Sequence, residues 1–472
     1  MKNIRTRFAP SPTGIMHIGN VRAALLNYLF ARQNNGIFLL RIEDTDLQRN
    51  ITDGTQFIIK HLQWLGLNFQ EGPEIGGPHA PYFQSQRSFI YKKYLDILYQ
   101  KNAIYRCFCT PEELDIRRNR QIALKKPPRY EGTCLKLCEK TISEKLSSKK
   151  TFIWRMKIDS SKKIVFTDLA RGPLEFDLQH FSDFPLTRED GSFTFIFANC
   201  IDDCEMKISH VFRGEEHLSN TVSQMVLYQA LDHPFPIFWH LPILCNQEGK
   251  KLSKRDKGFS LEDIEQQGYL PEAICNYLAI LGCSFEEEIL SLEQLVKLYQ
   301  FDRLHGASQI RYDIEKLKWI NHKWINLYNI EKLTLLCKPF LQPKYDLSKL
   351  SDTTLQLLIN VIKSDMYTLY DAIAMTQFYF EKPAITKDLL KTTIKEEKIT
   401  DLLLLLHSSH KSSWLDFSAH IAKQAKMKNI ENKELYSSIR LLITGSPTGL
   451  QIKDLFETLG STEFFNRLHI IH

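Results

Sequence analysis

No stretch of the 472-residue sequence approaches the ~18 consecutive apolar residues of a membrane-spanning helix, so no transmembrane segment is expected. Charge of one sign is also scarce. The 61 Lys and Arg against 55 Asp and Glu leave a net +6, too slight to demand a polyanionic partner and compatible with one. Twenty glycines and 18 prolines are too few for a collagen-like or low-complexity chain, and 10 cysteines are too sparse for the disulfide scaffold of a small secreted domain. Reduced thiols are therefore the expectation. The basic N-terminal stretch MKNIRTRFAPSPTG has no apolar core of a signal peptide behind it, and the chain reads as cytoplasmic. No repeat recurs at a period of ~20–50 residues. What is present is a globular composition, 43% hydrophobic and 11% aromatic, long enough for about three domains at roughly 150 residues each.

Periodicity orders the chain. A short strand over Ile4 to Phe8, a loop rich in Pro and Gly, and a helix over Val21 to Asn34 open it, followed by a buried strand over Ile37 to Ile42 and an amphipathic helix over Thr55 to Leu65. In the first helix Val21, Ala24, Leu25, Tyr28, Leu29 and Arg32 fall on one stripe; in the second Phe57, Ile58, Leu62 and Leu65 share a face. Alternating strand and helix predicts a doubly wound parallel α/β sheet. Between Tyr99 and Gln179 the sequence turns cysteine-bearing and basic with short β-like runs, which reads as an insertion. Beyond Leu270 nearly all of it is helix-periodic, consistent with two bundles.

The chemistry concentrates in two loops. Pro10 to Asn20 lies between the first strand and the first helix, where free backbone N–H groups and the helix dipole favour phosphate, with His17 and Asn20 placed to donate to the same anion. Alone, a histidine before a helix is more often a cap. Lys250-Lys251-Leu252-Ser253-Lys254-Arg255 follows the apolar run Ile243 to Cys245, and such a cationic run repels itself unless an anion sits within it. A solvated basic loop is the ordinary alternative.

Taken together, Arg7-Phe8-Ala9-Pro10-Ser11-Pro12-Thr13-Gly14 with His17-Ile18-Gly19-Asn20, Arg41-Ile42-Glu43-Asp44-Thr45-Asp46, Arg213 through Asn220 and Lys251-Leu252-Ser253-Lys254-Arg255 resemble bacterial-type glutamyl-tRNA synthetases. These are class I enzymes whose nucleotide signatures are called HIGH and KMSKS. The resemblance runs collinearly from residue 3 to about Ile325 and more weakly through Arg440 to Gly449. It implies a Rossmann-type catalytic domain over 1–98 and 190–250, an inserted acceptor-binding domain over 99–189, a KMSKS and stem-contact domain over 251–325 and a helical anticodon-binding region over 326–472.

By the same resemblance, the reaction joins glutamate to ATP with Mg²⁺ and passes the glutamyl group to tRNA(Glu), with tRNA(Gln) a second candidate acceptor. No membrane is involved, and a monomer is expected. His17, Asn20, Lys251 and Lys254 are the implied catalytic residues. Thr13, Gly19, Glu216 and Ser253 join them in holding ATP. Arg7, Ala9, Ser11, Glu43, Phe195, Asn199 and Arg213 are the implied glutamate site, with Arg213 gripping the side-chain carboxylate and Glu43 receiving the ammonium. An ion pair of Arg213 with Glu215 or Glu216 is the competing structural reading. Phe195 departs from the family, which usually has tyrosine there, and Leu450 stands where a proline is usual.

Cys107-Phe108-Cys109 and, 24 residues on, Cys134-Leu135-Lys136-Leu137-Cys138 form the one tight cysteine cluster. Four thiolates would close a tetrahedral structural Zn²⁺ site; buried free thiols are the alternative. Family members that carry this zinc use C-x-C and C-x-H. Lys136 occupies the histidine place, so Cys138 is taken as the fourth ligand. The densest basic run, Arg117, Arg118, Arg120, Lys125, Lys126 and Arg129, lies in the insertion where the acceptor end would bind. Four rival readings stand beside it. A glutaminyl enzyme is disfavoured by Arg213 and by the helical C-terminal half, a truncated relative that glutamylates a modified base within tRNA and an RNA-independent nucleotidyltransferase by that same half, and a catalytically silent tRNA-binding paralogue by the intact His17, Lys251 and Lys254.

Overall fold

A computed structural model describes residues 4–46, 50–253, 256, 258–303, 309–410 and 413–469. It divides into two compact units, Met1–Ile264 with Pro271–Ile314, and Glu265–Leu270 with Glu315–His472.

In the first unit, strand β1 (Arg5–Phe8) leads through the signature loop into helix α1 (Ile18–Gln33), and β2 (Ile37–Leu40) pairs parallel with β1 in the register Arg5 to Ile37 and Phe8 to Leu40. The expected stripe of α1 is buried, but so are Ile18, Leu26 and Ala31, so the helix is covered nearly all round, while Arg32 is exposed over the Tyr28 ring. Helix α2 (Gly54–Trp64) buries Ile58, Ile59 and Leu62 and leaves Phe57 half exposed. Helix α3 (Ser88–Gln100) and strand β3 (Ile104–Cys107) lead into the inserted module.

In that module, β3 pairs antiparallel with β4 (Ile153–Met156), which also pairs with β7 (Phe184–Pro185). Helix α4 (Pro111–Ala123) begins with Pro111 and a capping box between Thr110 and Glu113 and buries none of its residues. Helix α5 (Glu139–Ser147) follows the second cysteine pair. The hairpin of β5 (Lys163–Asp168) and β6 (Gly172–Asp177) does not join this small sheet. Asp168 instead pairs parallel with Phe238, giving the strand order β6-β5-β9-β8 with β8 (His210–Gly214) parallel to β9 (Ile237–Leu241). Helix α6 (Phe195–Glu205) precedes β8 and α7 (Leu218–Ala230) links β8 to β9, and Phe197, Ile201, Val222, Met225 and Phe238 lie in one buried core.

Strand β10 (Ile243–Cys245) pairs parallel with β11 (Gln309–Arg311). Helices α8 (Leu261–Gln266), α9 (Pro271–Ile280) and α10 (Leu292–Leu298) lie between them in sequence. Parallel strands alternating with helices make this unit the expected α/β fold, with the antiparallel β5–β6 hairpin as a mixed edge.

The second unit is helical: α11 (Ile314–Leu327), α12 (Ile330–Leu341), α13 (Asp352–Ile362), α14 (Asp371–Phe380), α15 (Lys387–Leu390), α16 (Glu396–His407), α17 (Trp414–Met427), α18 (Asn432–Thr444) and α19 (Ile452–Leu468). One apolar cluster runs from Leu358 on α13 through Phe417 and Leu442 to Leu468 on α19. Gly445, at φ 82°, ends α18, and Arg440 donates to the carbonyls of Pro447 (2.9 Å) and Leu450 (2.7 Å), stapling the loop to α19. Leu450 therefore serves this staple through its main chain, where a proline would serve equally.

Candidate active site

A cavity of about 610 Å³ opens at the carboxyl ends of β1 and β8. Arg7, Ala9, Ser11, Thr13, His17, Gly19, Asn20, Glu43, Phe195, Asn199, Arg213, Glu216 and Lys251 all line it, so residues from five separate stretches of sequence meet there. Ser253 does not line it; its main-chain N–H and hydroxyl both donate to Asp256 at 2.8 Å. Lys254 lies outside the described residues.

The two loops do converge. His17 and Ser260 form a bridge, Ile18 N–H donates to Phe259 O (3.0 Å), Leu261 N–H donates to Met16 O (3.0 Å), and the His17 ring stacks on Phe259 at 4.9 Å. The Lys251 segment is the return strand of a hairpin. Asn246 Oδ1 accepts from Glu248 and Lys250 N–H, Gly249 turns the chain at φ 77°, and Leu252 N–H returns to Leu244 O. Lys250 pairs with Glu248 at 2.8 Å, so one cation of the run is satisfied locally; Lys251 is exposed at the cavity edge.

His17 is both a cap and a site residue. It is the N-cap of α1: Asn20 N–H donates to His17 Nδ1 and His17 N–H to Asn20 Oδ1, both at 3.3 Å. With Nδ1 accepting, the ring proton sits on Nε2 as a donor. Burial, assisted by Lys251 and opposed by Glu216, lowers the pKa of His17, so the ring is a neutral donor. Gly214 lets Glu216 fold back against the main chain, since a Cβ there would collide with its carboxylate.

At the opposite end the groups are buried. Arg7 rests on Asp203 through Nε (3.2 Å) and Nη2 (3.3 Å), and Arg41 shares Asp203 (2.7 Å) and reaches Glu43 (3.0 Å). Asn199 donates to Glu43 Oε1 at 2.6 Å. Burial pushes the Glu43 carboxyl up, against the pull of Arg41 and Arg7. Arg213 forms no ion pair among the described residues: Glu215 pairs with Arg171 instead. Arg213 Nη2 donates to Thr221 Oγ1 (2.5 Å) and Gln224 Oε1 (2.7 Å), while Nη1 is buried without a partner. Burial and the neighbouring Arg7 hold this guanidinium down to about 10, the signature of a desolvated cation that lacks an anion.

Phe195 opens α6 and faces the His217 ring at 5.5 Å, where the usual tyrosine would bring a hydroxyl. Burial, with Arg213 next in weight, lowers His217 to about 4. Sequence reasoning assigned His217 no role, nor Thr221, Gln224 or His240. The i, i+4, i+7 spacing of His217, Thr221 and Gln224 at and after the start of α7, and a histidine inside Phe238-Trp239-His240-Leu241, were the available signals.

The inserted module gathers Cys107, Cys109 and Cys134, whose sulfurs all lie within 4.8 Å of one another. Hydrogen bonding by Cys134 lowers the Cys107 thiol, while Cys134 and Cys109 are raised, so of the three Cys107 gives up its proton most readily. Cys138 is not part of it. It is the N-cap of α5, exposed, with Sγ 3.2 Å from Thr141 Oγ1; the helix start carries its side chain away, and the expectation of Cys138 as fourth ligand is corrected. Tyr130 is the oxygen that meets the group instead, its hydroxyl 3.3 Å from Cys107 Sγ and accepting from Cys134 N–H at 3.0 Å. Cys200, Cys204, Cys245, Cys275 and Cys337 are buried, and Cys283 is half-buried.

Comparison with known proteins agrees with this geometry. The family model of the class I tRNA synthetases (E and Q), catalytic domain, matches residues 3–319, and that of the anticodon binding domain matches 332–471. A glutamate–tRNA ligase of Bacillus licheniformis is 36% identical over 483 residues, covering 99% of each chain, and that of Bacillus subtilis 34% over 477, covering 98% of this chain and 99% of the relative. The crystal structure of a glutamate tRNA ligase from Elizabethkingia meningosepticum, in complex with its amino acid, superimposes with a TM-score of 0.90 at 33% identity, covering 99% of this chain and 98% of that one.

Proposed function

The chain belongs to the class I tRNA synthetases of the E and Q type, and from that premise we infer that it ligates L-glutamate to the 3′ end of tRNA(Glu) at the expense of ATP, through glutamyl-adenylate. The observation that carries the amino-acid assignment is the buried Arg213 guanidinium with Nη1 unpartnered. A glutamate carboxylate would satisfy it, whereas neutral glutamine would leave a buried cation unpaired.

In the first step, an oxygen of the substrate α-carboxylate attacks the α-phosphorus of ATP, the bond to the β-phosphate breaks, and pyrophosphate leaves. In the second, a terminal ribose hydroxyl attacks the mixed anhydride and AMP leaves. The protein contributes no nucleophile, so its work is alignment and charge stabilisation. In our reading His17 Nε2–H, the Asn20 amide, Lys251 and Lys254 take the charge that builds on the phosphates, with Thr13, Gly19, Glu216 and Ser253 around the nucleotide. Mg²⁺ would neutralise the remaining phosphate charge. Arg7, Ala9, Ser11, Glu43, Asn199 and Arg213 position glutamate, and Phe195 closes its pocket by shape alone.

The three-thiol group of the inserted module suits a structural Zn²⁺ held by Cys107, Cys109 and Cys134. Helix α4, none of whose residues is buried and which bears Arg117, Arg118 and Arg120, and the basic residues Lys125, Lys126 and Arg129 after it suit the acceptor end of the RNA. The domain division at 99–189, 251–325 and 326–472, a monomer and a cytoplasmic location complete the proposal. ATP–pyrophosphate exchange tests it, with glutamate or glutamine, with and without tRNA. Exchange that requires glutamate and is supported by tRNA(Glu) is the expected outcome; charging of tRNA(Gln) in the same assay would extend the acceptor range. RNA binding without exchange would instead identify a silent paralogue.

A further inference from the structure

Behind Arg213 lies a buried polar chain that no reading of the site has used. Asp168, at the end of β5 and fully buried, accepts through Oδ1 from the N–H groups of Ala170 (2.9 Å) and Arg171 (3.1 Å), and through Oδ2 from the N–H of His240 (3.0 Å). Oδ2 also lies 2.7 Å from His240 Nδ1. With a carboxylate at Nδ1, the ring proton sits there and Nε2 is the acceptor. Nε2 faces Thr221 Oγ1 at 2.7 Å and, at a longer 3.4 Å, the Nε–H of Arg213. Thr221 Oγ1 also lies 3.1 Å from the His217 carbonyl, so its one proton has two acceptors, of which His240 Nε2 is the nearer, while a lone pair takes the Arg213 Nη2 donor at 2.5 Å. Gln224 accepts from the same Nη2 (2.7 Å) and its amide donates onward to Asn199 Oδ1 (2.8 Å), while Asn199 Nδ2 donates to Glu43 (2.6 Å). The chain engages Nε and Nη2 of Arg213 while leaving Nη1 without a partner among the described residues.

We propose that Asp168 and His240, acting through Thr221, are positioning residues that hold the Arg213 guanidinium in register for the side-chain carboxylate of the amino-acid substrate. The inference rests on the reading of Arg213 given above and deepens it. A long arginine held only at Nη2 by Gln224 and by contact with the Phe238 ring, 5.2 Å away, would retain freedom about its terminal bonds, and each disordered rotamer would weaken the grip on a carboxylate. The Asp168 carboxylate fixes the histidine tautomer. Loss of that carboxylate allows the proton to move to Nε2, where it would oppose the donors of Thr221 and Arg213.

The experiment compares Asp168→Asn, His240→Phe, His240→Gln and Thr221→Val in the full chain with tRNA, measuring KM for glutamate, KM for ATP and kcat by pyrophosphate exchange. Asp168→Asn and His240→Phe should raise the glutamate KM about tenfold or more, with the ATP KM and kcat within about threefold. Thr221→Val should move it in the same direction by less, and His240→Gln, which keeps an acceptor, should recover part of the loss. Should His240→Phe fail to fold, Thr221→Val decides, since it leaves the Asp168–His240 pair in place. A glutamate KM unchanged in Asp168→Asn and Thr221→Val, or an ATP KM rising in parallel, overturns the inference. Arg213→Gln runs alongside. If it raises the glutamate KM while Asp168→Asn and Thr221→Val do not, only the positioning role falls; if it has no effect, the reading of Arg213 falls and the inference with it.

Discussion

At the Arg213 end of the cavity, Arg7, Glu43, Asn199 and Arg213 are buried and their polar atoms are largely committed to one another and to their neighbours, whereas at the His17 end Gly14 and Lys251 are exposed and the loops meet through main-chain bonds and one stacked ring. The two ends face different problems. Telling glutamate from glutamine requires a cation whose unpaired state is costly, and only burial makes it so. Phosphates bring several charges of their own and can be met by exposed cations on a hairpin, because what matters is the added attraction as charge builds in the transition state.

Substituting Lys251 and Lys254 breaks the nucleotide end with the largest expected effect. Lys251→Ala and Lys254→Ala should each lower the exchange rate by about 10²–10³-fold while leaving glutamate KM and tRNA affinity nearly unchanged. A glutamate KM that rises as steeply as the rate falls would mean that the two ends are not separable. Arg213→Gln tests the other end. Here kcat/KM for glutamate should fall about 30-fold, equivalent to about 2 kcal/mol, with preference over glutamine shrinking by a similar factor and the ATP KM unmoved. Retained preference in that variant would shift discrimination to Arg7.

The same contrast explains what was legible in the sequence. The nucleotide end is carried by contiguous residues: β1, the loop to Asn20 and the cap of α1 follow from local pattern, and the predicted meeting of this loop with the Lys251 segment appears as the His17–Ser260 bridge. The amino-acid end is assembled from β5, α7 and β9, and Asp168 meets His240 across 72 residues, a separation over which no periodicity speaks. Cys138 shows the limit of spacing. Its distance along the chain suits a zinc ligand, but it stands exposed at the N-cap of α5, outside the group of three sulfurs, while Tyr130, four residues before Cys134, hydrogen-bonds Cys107 and the Cys134 main chain. The placement of β5 and β6 beside β9 was hidden for a similar reason, because alternation in Lys163 to Asp177 identifies a hairpin without naming the strand it joins.

Acidification gives the smallest effect and compares the two ends within one measurement. His17 at the nucleotide end and His217 and His240 at the other all have pKa values lowered, chiefly by burial. Lys251 adds to the lowering at His17, Arg213 and Arg7 at His217, and Arg213 and Arg171 at His240, while Glu216 and Asp168 oppose it. In the unfolded chain each would titrate near 6.5. Below that pH the unfolded state binds protons that the folded state refuses, so stability is full above about pH 7 and declines as pH falls. For His217 the decline continues until about 4, where its folded form also protonates. Between pH 7.5 and 5.5 this residue alone should contribute a loss of about 1 kcal/mol, read as a falling unfolding temperature. His217→Gln should flatten the slope in that window more than His17→Gln does, because the buried end resists protonation more strongly. An equal slope in both variants would mean that the histidines at the two ends sit in electrostatically similar surroundings, contrary to the division between a buried specificity end and an exposed phosphate end.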